Sequence, residues 1–461
     1  MAMILSDTRK PSVAGVSYNR GYVYRTSTIT ALGGLLFGYD LVIISGTVPF
    51  FTQQFNLNEF QTGWAVGCIN LGCVLGSLLA GKLSDVLGRK KLLFICAFLF
   101  ALTGVCTGWA ATFSLFIFFR ILSGVAVGAA ALVCPMYTAE ISPAPLRGRM
   151  VSFYQLAITT GILLAYLSNY FLLNTGSDNW RWMFTSQSLP ALLFMAGLFT
   201  VPESPRWLIR KKRNAEAKKV LTAIGGEMYA QAEGEAIRQS FSKEVKEQVK
   251  NLFSKEMAPV LFIGIMIAVF SQAGGQNSLF SYAPVLFKQA GMAEDSAFLQ
   301  SIIIGVINFL FTFIAIGTID KTGRKKLLQY GSLLLFFNAL AIGAAFYFNW
   351  PGAWVLIFVL SFIATYSATL GPVTWVALSE IFPNRIRGNA MAAATLALWL
   401  ANFFATASFP VMKTHLGLPA TFAIHGFVCL AYFFFVRIRV PETKGRSLEE
   451  IETQLTGKYH N

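Results

Sequence analysis

Gly81-Lys82-Leu83-Ser84-Asp85-Val86-Leu87-Gly88-Arg89-Lys90-Lys91-Leu92-Leu93 separates two apolar runs, and its second half returns as Asp320-Lys321-Thr322-Gly323-Arg324-Lys325-Lys326-Leu327-Leu328. Both copies join hydrophobic segments long enough to cross a bilayer, about 20 residues each. Two more motifs repeat in the same order. Glu140-Ile141-Ser142-Pro143-Ala144-Pro145-Leu146-Arg147-Gly148 pairs with Glu380-Ile381-Phe382-Pro383-Asn384-Arg385-Ile386-Arg387-Gly388. Pro202-Glu203-Ser204-Pro205-Arg206 pairs with Pro441-Glu442-Thr443-Lys444-Gly445-Arg446. Three ordered charged motifs do not recur by chance, so the chain is an internal duplication. Two related membrane halves with charged hinges point to a transporter that rocks around a site between them.

Composition supports a polytopic membrane protein. Only 13% of the 461 residues are charged, against about 25% in soluble domains, and the deficit runs the whole length. The reading predicts an all-α chain of 12 spans, at 27–50, 63–82, 92–110, 114–137, 150–172, 181–201, 258–288, 300–319, 327–347, 353–381, 388–411 and 419–439. The parts are an N-terminal stretch 1–26, a six-helix bundle 27–201, a linker 202–257 with short helices, a second bundle 258–439 and a tail 440–461. The linker reads equally as a latch bracing the bundles or as a solvated connection.

The net charge of +15 could suggest a nucleic-acid partner. However, the basic residues gather in alternate loops and the termini, with only Arg181, Lys288 and Lys413 expected on the other side. That is the positive-inside pattern. It places both termini in the cytoplasm, with the first apolar run retained as a helix, and predicts no nucleic-acid partner. The six cysteines lie in apolar runs without a Cys-x-x-Cys pair, and the three histidines lack ligand spacing. No metal or cofactor is expected. No Ser/His/Asp set or phosphate loop suggests an enzyme.

At the expected cytoplasmic helix ends the first half carries Asp85, Arg89, Glu140, Arg147 and Glu203, and the second Asp320, Arg324, Glu380, Arg387 and Glu442. Arginine forks pair two-pronged with carboxylates. Such a charge network reads either as a conformational lock or as charge that only sets topology.

Away from the span ends stand one acid, Asp40 in the first span, and one base, Arg120 in the fourth. Intramembrane charges are functional by default. Burial raises a carboxyl's pKa by about as much as a neighbouring arginine lowers it. A small change in separation could therefore move a proton on or off Asp40. The alternative is a permanent structural pair.

A hydroxyl-rich solute would need amides for its hydroxyls and an aromatic face for its C–H groups. Amides are scarce here, so Gln155, Gln272, Asn277 and Asn308 are candidates, with Phe37, Trp375 and Trp399 as aromatic faces and Gly371-Pro372 as a helix break. Four amides at about 1 kcal/mol each give affinity near millimolar, the right scale for a carrier. Singly, each amide could also be helix–helix glue.

Gly-x-Leu-Ser-Asp-x-x-Gly-Arg-Lys, Pro202-Glu203-Ser204-Pro205-Arg206-Trp207 and Pro441-Glu442-Thr443-Lys444-Gly445-Arg446 resemble signatures of the sugar porter family of the major facilitator superfamily, over about 25–455. The pattern is most similar to its bacterial proton-coupled sugar symporters, D-xylose carriers among them. The resemblance implies two six-helix bundles, alternating access and a central sugar site built from the amides and aromatics above. It also implies that Asp40 is the proton site and that Tyr282 belongs to a gate. The chain departs at Ser271 and Ser281 in the seventh span, where the family has Gln and Tyr. It departs again at Ile162 and Leu398, where relatives have amides. A less polar site, for a hexose or deoxy-sugar rather than xylose, is the expectation. The function expected is proton-coupled monosaccharide uptake by a monomeric carrier in the plasma membrane. The alternatives are a proton-independent uniporter of sugars or polyols and a transport-dead sugar sensor.

Overall fold

The computed structural model describes residues 17–242, 257–383, 386–446, 450–451 and 455. Among them every regular element is helical. The first half comprises α1 (Arg20–Gln54), α2 (Glu59–Gly67), α3 (Ile69–Leu87), α4 (Arg89–Gly108), α5 (Phe113–Ile141), α6 (Ala144–Leu172), α7 (Asn179–Ser186) and α8 (Ser188–Phe199). The linker adds α9 (Pro205–Arg210) and α10 (Asn214–Ser242). The second half holds α11 (Ala258–Ala273), α12 (Gln276–Gln289), α13 (Glu294–Thr322), α14 (Arg324–Tyr347), α15 (Gly352–Ala368), α16 (Leu370–Ile381) and α17 (Arg387–Arg439).

Several of these pieces join into single crossings. α2 continues into α3, α7 into α8, α11 into α12 and α15 into α16, giving spans of 29, 21, 32 and 30 residues. α17 is two crossings run together, since Gly417 breaks the helix with φ +79°. Among the described residues eleven apolar helices, the last one double, thus make the 12 crossings expected. Local chemistry sets their ends. Asn58 and Gln61 form a reciprocal capping box at the start of α2, and the Thr112 hydroxyl caps α5. Both satisfy amides that the first helical turn leaves free.

Large apolar side chains such as Phe98, Phe118, Leu193, Phe313, Phe337 and Phe427 stand exposed around the outside. Lipid covers such faces in a helical membrane protein. Half-exposed Trp109 and Trp182 meet edge to face at 5.5 Å, and Trp350 and Trp354 at 6.1 Å. All four lie at the ends away from the basic loops, where aromatic belts form.

The halves touch where α12 packs on α1, α13 on α6, and α17 on α2 and α3. The residues at these seams lie on the side of the molecule away from the basic loops. Tyr166 Oη of α6 donates to the Phe280 carbonyl of α12 at 2.9 Å. Trp64 of α2 meets Phe403 of α17 edge to face at 5.5 Å.

The linker sits on the first half. Arg210 of α9 pairs with Asp85 at 2.8 Å, Ile224 accepts from the Asn19 amide at 2.9 Å, and Tyr229 meets Tyr18 edge to face. Its stretch 243–256 lies outside the described residues.

Candidate functional site

The repeated motifs build one clamp twice. After α3 the chain turns at Gly88 with φ +99°, and after α13 at Gly323 with φ +96°, conformations that glycine adopts without a Cβ penalty. A carboxylate then caps the helix that follows. Glu203 accepts from the backbone amides of Arg89 and Lys90 at 3.0 and 3.2 Å, and Glu442 accepts from Arg324 N at 3.0 Å. Negative charge is favoured at a helix N-terminus. Glu203 is removed from water there, which raises its carboxyl above the usual range, while the Ser204, Lys90 and Arg89 amides pull the other way.

The arginine after each glycine reaches across its own half. Arg89 grips Glu140 with two bonds of 3.0 Å and also holds Asp85 at 3.1 Å. Arg324 meets Glu380 at 3.0 Å. The Ser204 hydroxyl donates to Glu140, and the Thr443 hydroxyl to Glu380, both at 2.5 Å. Arg147 and Arg387 do something else as well. Their Nε atoms donate to the Ser142 and Phe382 carbonyls at 3.4 and 2.9 Å, at the frayed ends of α5 and α16. The Asp320 side chain lies outside the described residues. These pairs tie helices within each half. Among the described bonds the network is therefore two mirrored clusters, one in each bundle.

In the first half Asp40 and Arg120 meet as expected. Arg120 Nη1 donates to Asp40 Oδ1 at 2.6 Å, with both side chains 1% exposed. The Ser123 hydroxyl donates to the other carboxylate oxygen. The guanidinium carbon lies 5.7 Å from the Phe184 ring centre. Among the described residues Arg120 Nε and Nη2 have no hydrogen-bond partner. One turn of α1 presents Asp40 to α5, while Phe37 and Leu41 line the central cavity.

That cavity, about 100 Å³, lies between the halves. Phe37, Gln155, Gln272, Asn277, Asn308, Gly371, Trp375 and Trp399 all line it. Phe37 and Trp399 meet across it edge to face at 5.7 Å. Two broken crossings shape the wall. α11 ends where Gly275 takes φ +88°, and Thr369 interrupts the tenth crossing ahead of Gly371-Pro372. Breaks of this kind are tolerated where backbone lines a cavity. Ile162 and Leu398 line the cavity too, so part of the wall is apolar.

The amides form a connected cluster. Asn277 Nδ2 donates to Gln272 Oε1 at 2.7 Å and to Asn402 Oδ1 at 2.8 Å. Gln276 Nε2 donates to the Ser271 carbonyl at 2.6 Å. Ser367 donates to Asn308 Oδ1 at 2.7 Å, and among the described residues Asn308 Nδ2 and Trp399 Nε1 are buried without a partner. A buried donor left unbonded costs about 1–3 kcal/mol.

Asn402, Tyr366, Ser367 and Thr312 were not among the residues expected. Asn402 was within reach of the same reasoning, as an amide one turn beyond Trp399. Tyr282 is buried, donates to the Thr406 carbonyl at 3.2 Å and stacks on Phe409 at 5.0 Å. It thus sits in the closed side between cavity and non-basic face.

Comparison with known proteins agrees with this geometry. A family model described as "Sugar (and other) transporter" matches residues 26–455. The chain is 40% identical to the D-xylose-proton symporter of Escherichia coli K12, covering 94% of this chain and 96% of that one. It is 37% identical to the arabinose-proton symporter of Bacillus subtilis, covering 95% and 96%. An inward-open structure of the E. coli xylose transporter XylE superposes with TM-score 0.85 at 38% identity, over 94% of this chain and 100% of that one. The same symporter bound to 6-bromo-6-deoxy-D-glucose gives 0.79 at 39% identity, over 95% and 100%.

Proposed function

The chain belongs to the family of sugar (and other) transporters, and from that membership we propose that it carries a monosaccharide together with a proton across the plasma membrane by alternating access. The observation that carries the reading is a shared helix. α1 holds the acid of a buried acid–base pair on one side and two residues of the amide-lined cavity on the other. A proton taken up at Asp40 weakens its tie to Arg120, and α1 passes the change to the cavity wall without direct contact between proton and sugar.

The amides Gln155, Gln272, Asn277 and Asn308 would bond sugar hydroxyls, with Trp375, Trp399 and Phe37 facing the C–H groups. Ile162 and Leu398 favour a sugar with fewer hydroxyls on one side, a hexose or deoxy-sugar over xylose. The basic loops support a reading with both termini in the cytoplasm. The seams closed on the opposite side, and the better superposition on an inward-open relative, favour an arrangement open to the cytoplasm. The charge clusters make each bundle's cytoplasmic end rigid, and the carrier works as a monomer.

The test is uptake into proteoliposomes with and without an imposed pH gradient, run against a panel of competing monosaccharides. Accumulation above equilibrium that a protonophore abolishes is the expected result. Equilibration alone would make the chain a uniporter, and absence of any uptake would leave a sensor.

A further inference from the structure

The second crossing contains one amide beyond its first turn, Asn70, set among Ile69, Leu71, Gly72 and Cys73. An amide is an expensive choice inside a membrane protein unless it is bonded. Asn70 is 2% exposed. Its Nδ2 donates back to the Gly67 carbonyl at 3.1 Å, and its Oδ1 accepts from Asn402 Nδ2 at 2.8 Å. Asn402 belongs to the other half. Its own Oδ1 is taken by Asn277 of the cavity cluster, and it lines the cavity itself. One asparagine is therefore bonded on one side to the cavity cluster and on the other to the opposite bundle.

The surroundings say when that bond exists. Asn70 lies at the inner end of the seam between α2–α3 and α17. A Cβ on Gly63 would stand 1.9 Å from the Ala407 carbonyl oxygen, and one on Gly67 3.0 Å from the Ala407 Cβ. The backbones meet there with no room to spare. Opening a path from the cavity to the non-basic face has to part this seam, and parting it breaks Asn70–Asn402.

We propose that Asn70 is a positioning residue that, through Asn402, couples closure of the seam to the amide cluster of the cavity. It rests on the transport reading for the identity of the cavity's ligand. With the seam closed, Asn70 fixes the Asn402 amide so that its oxygen faces Asn277. With the seam open, Asn402 Nδ2 is released to water, and its amide and that of Asn277 are free to meet a sugar hydroxyl. The empty carrier is thereby biased toward the closed seam, and a sugar entering from that side competes for the same amides.

The experiment uses the full chain in lipid nanodiscs without sugar. Nitroxide side chains at Phe60 and Leu416, both exposed, report the spacing of α2 and α17 at the outer end by pulsed electron resonance. Asn70→Leu is expected to raise the long-distance population about fivefold relative to the unmutated chain, equal to about 1 kcal/mol for one membrane-buried amide bond. Asn70→Ala is expected to do the same and serves if the larger side chain disturbs folding. External sugar should bind up to fivefold more tightly in either variant, because more of the carrier is competent to receive it. An unchanged distance distribution in both variants overturns the proposal, including one accompanied by lower thermal stability. If the unmutated chain moves no sugar, the transport reading fails while the distance shift still decides the role of Asn70.

Discussion

Replacing Asp40 by Asn separates the proton role of the buried pair from its structural role. The side chain keeps its shape and an oxygen that accepts from Arg120 Nη1, while the amide nitrogen in place of the second oxygen turns the Ser123 hydroxyl from donor to acceptor, and the charge is lost. Arg120, 1% exposed, is then a cation with no counter-charge in the pair. Breaking one side of a buried pair costs about 3–5 kcal/mol, and the retained oxygen puts this variant near 3 kcal/mol. The double variant Asp40→Asn/Arg120→Met removes both charges at similar volume and should recover most of that stability. Coupling should not recover. For one proton per sugar, an imposed gradient of one pH unit drives accumulation of about tenfold, since one pH unit is worth about 1.36 kcal/mol. Asp40→Asn and the double variant should both settle near onefold while exchanging labelled for unlabelled sugar across the membrane. The assay is counterflow and gradient-driven uptake in the same proteoliposomes, beside thermal unfolding in detergent. Tenfold accumulation by Asp40→Asn would refute the reasoning. So would loss of exchange in the stability-restored double variant, because the pair would then be structural.

Arg89→Ala should lower stability by about 3 kcal/mol, since it strands Glu140 at 10% exposure, whereas Asp85→Ala at 40% exposure should cost no more than about 1 kcal/mol. Thermal unfolding that ranks them the other way would contradict the clamp. Gln272→Ala and Asn277→Ala should each weaken apparent sugar affinity about five- to tenfold. Measured by competition, the double variant should fall short of the product, because the two side chains bond each other at 2.7 Å. Glu203 titrates higher in the folded chain than in the unfolded one, so the folded chain binds this proton more tightly. Its contribution is greatest below the ordinary carboxylate range and is lost as pH rises through the raised value. Relative to the Glu203→Gln variant, the unmutated chain should therefore gain thermal stability as the medium is acidified through that window.

The twelve crossings were legible because each apolar run is long enough to be read without knowing its neighbours. Helix ends were less so. α1 begins at Arg20 rather than 27 and α5 continues through Ile141, because water-facing ends of a membrane helix need not be apolar. The pairing of Asp40 with Arg120 followed from scarcity, since a lone acid and a lone base in hydrocarbon have few other partners. The eight cavity residues came from the resemblance and from amide scarcity together. Asn70 escaped because an amide's purpose depends on which helix faces it, and its partner Asn402 lies 332 residues away in the chain. For the same reason the motif arginines could be read as charges, but the helix-end carbonyls that they also hold could not.

The mirrored clamps at Gly88 and Gly323 have a consequence for how such a carrier can be taken apart. Each bundle is buckled by its own acid, arginine and hydroxyl, with no strap borrowed from its neighbour among the bonds described. Cutting the polypeptide between the two would sever a tether and leave both buckles fastened. The pieces would then be free to find each other through the same greasy faces, as two hands meet without sharing an arm.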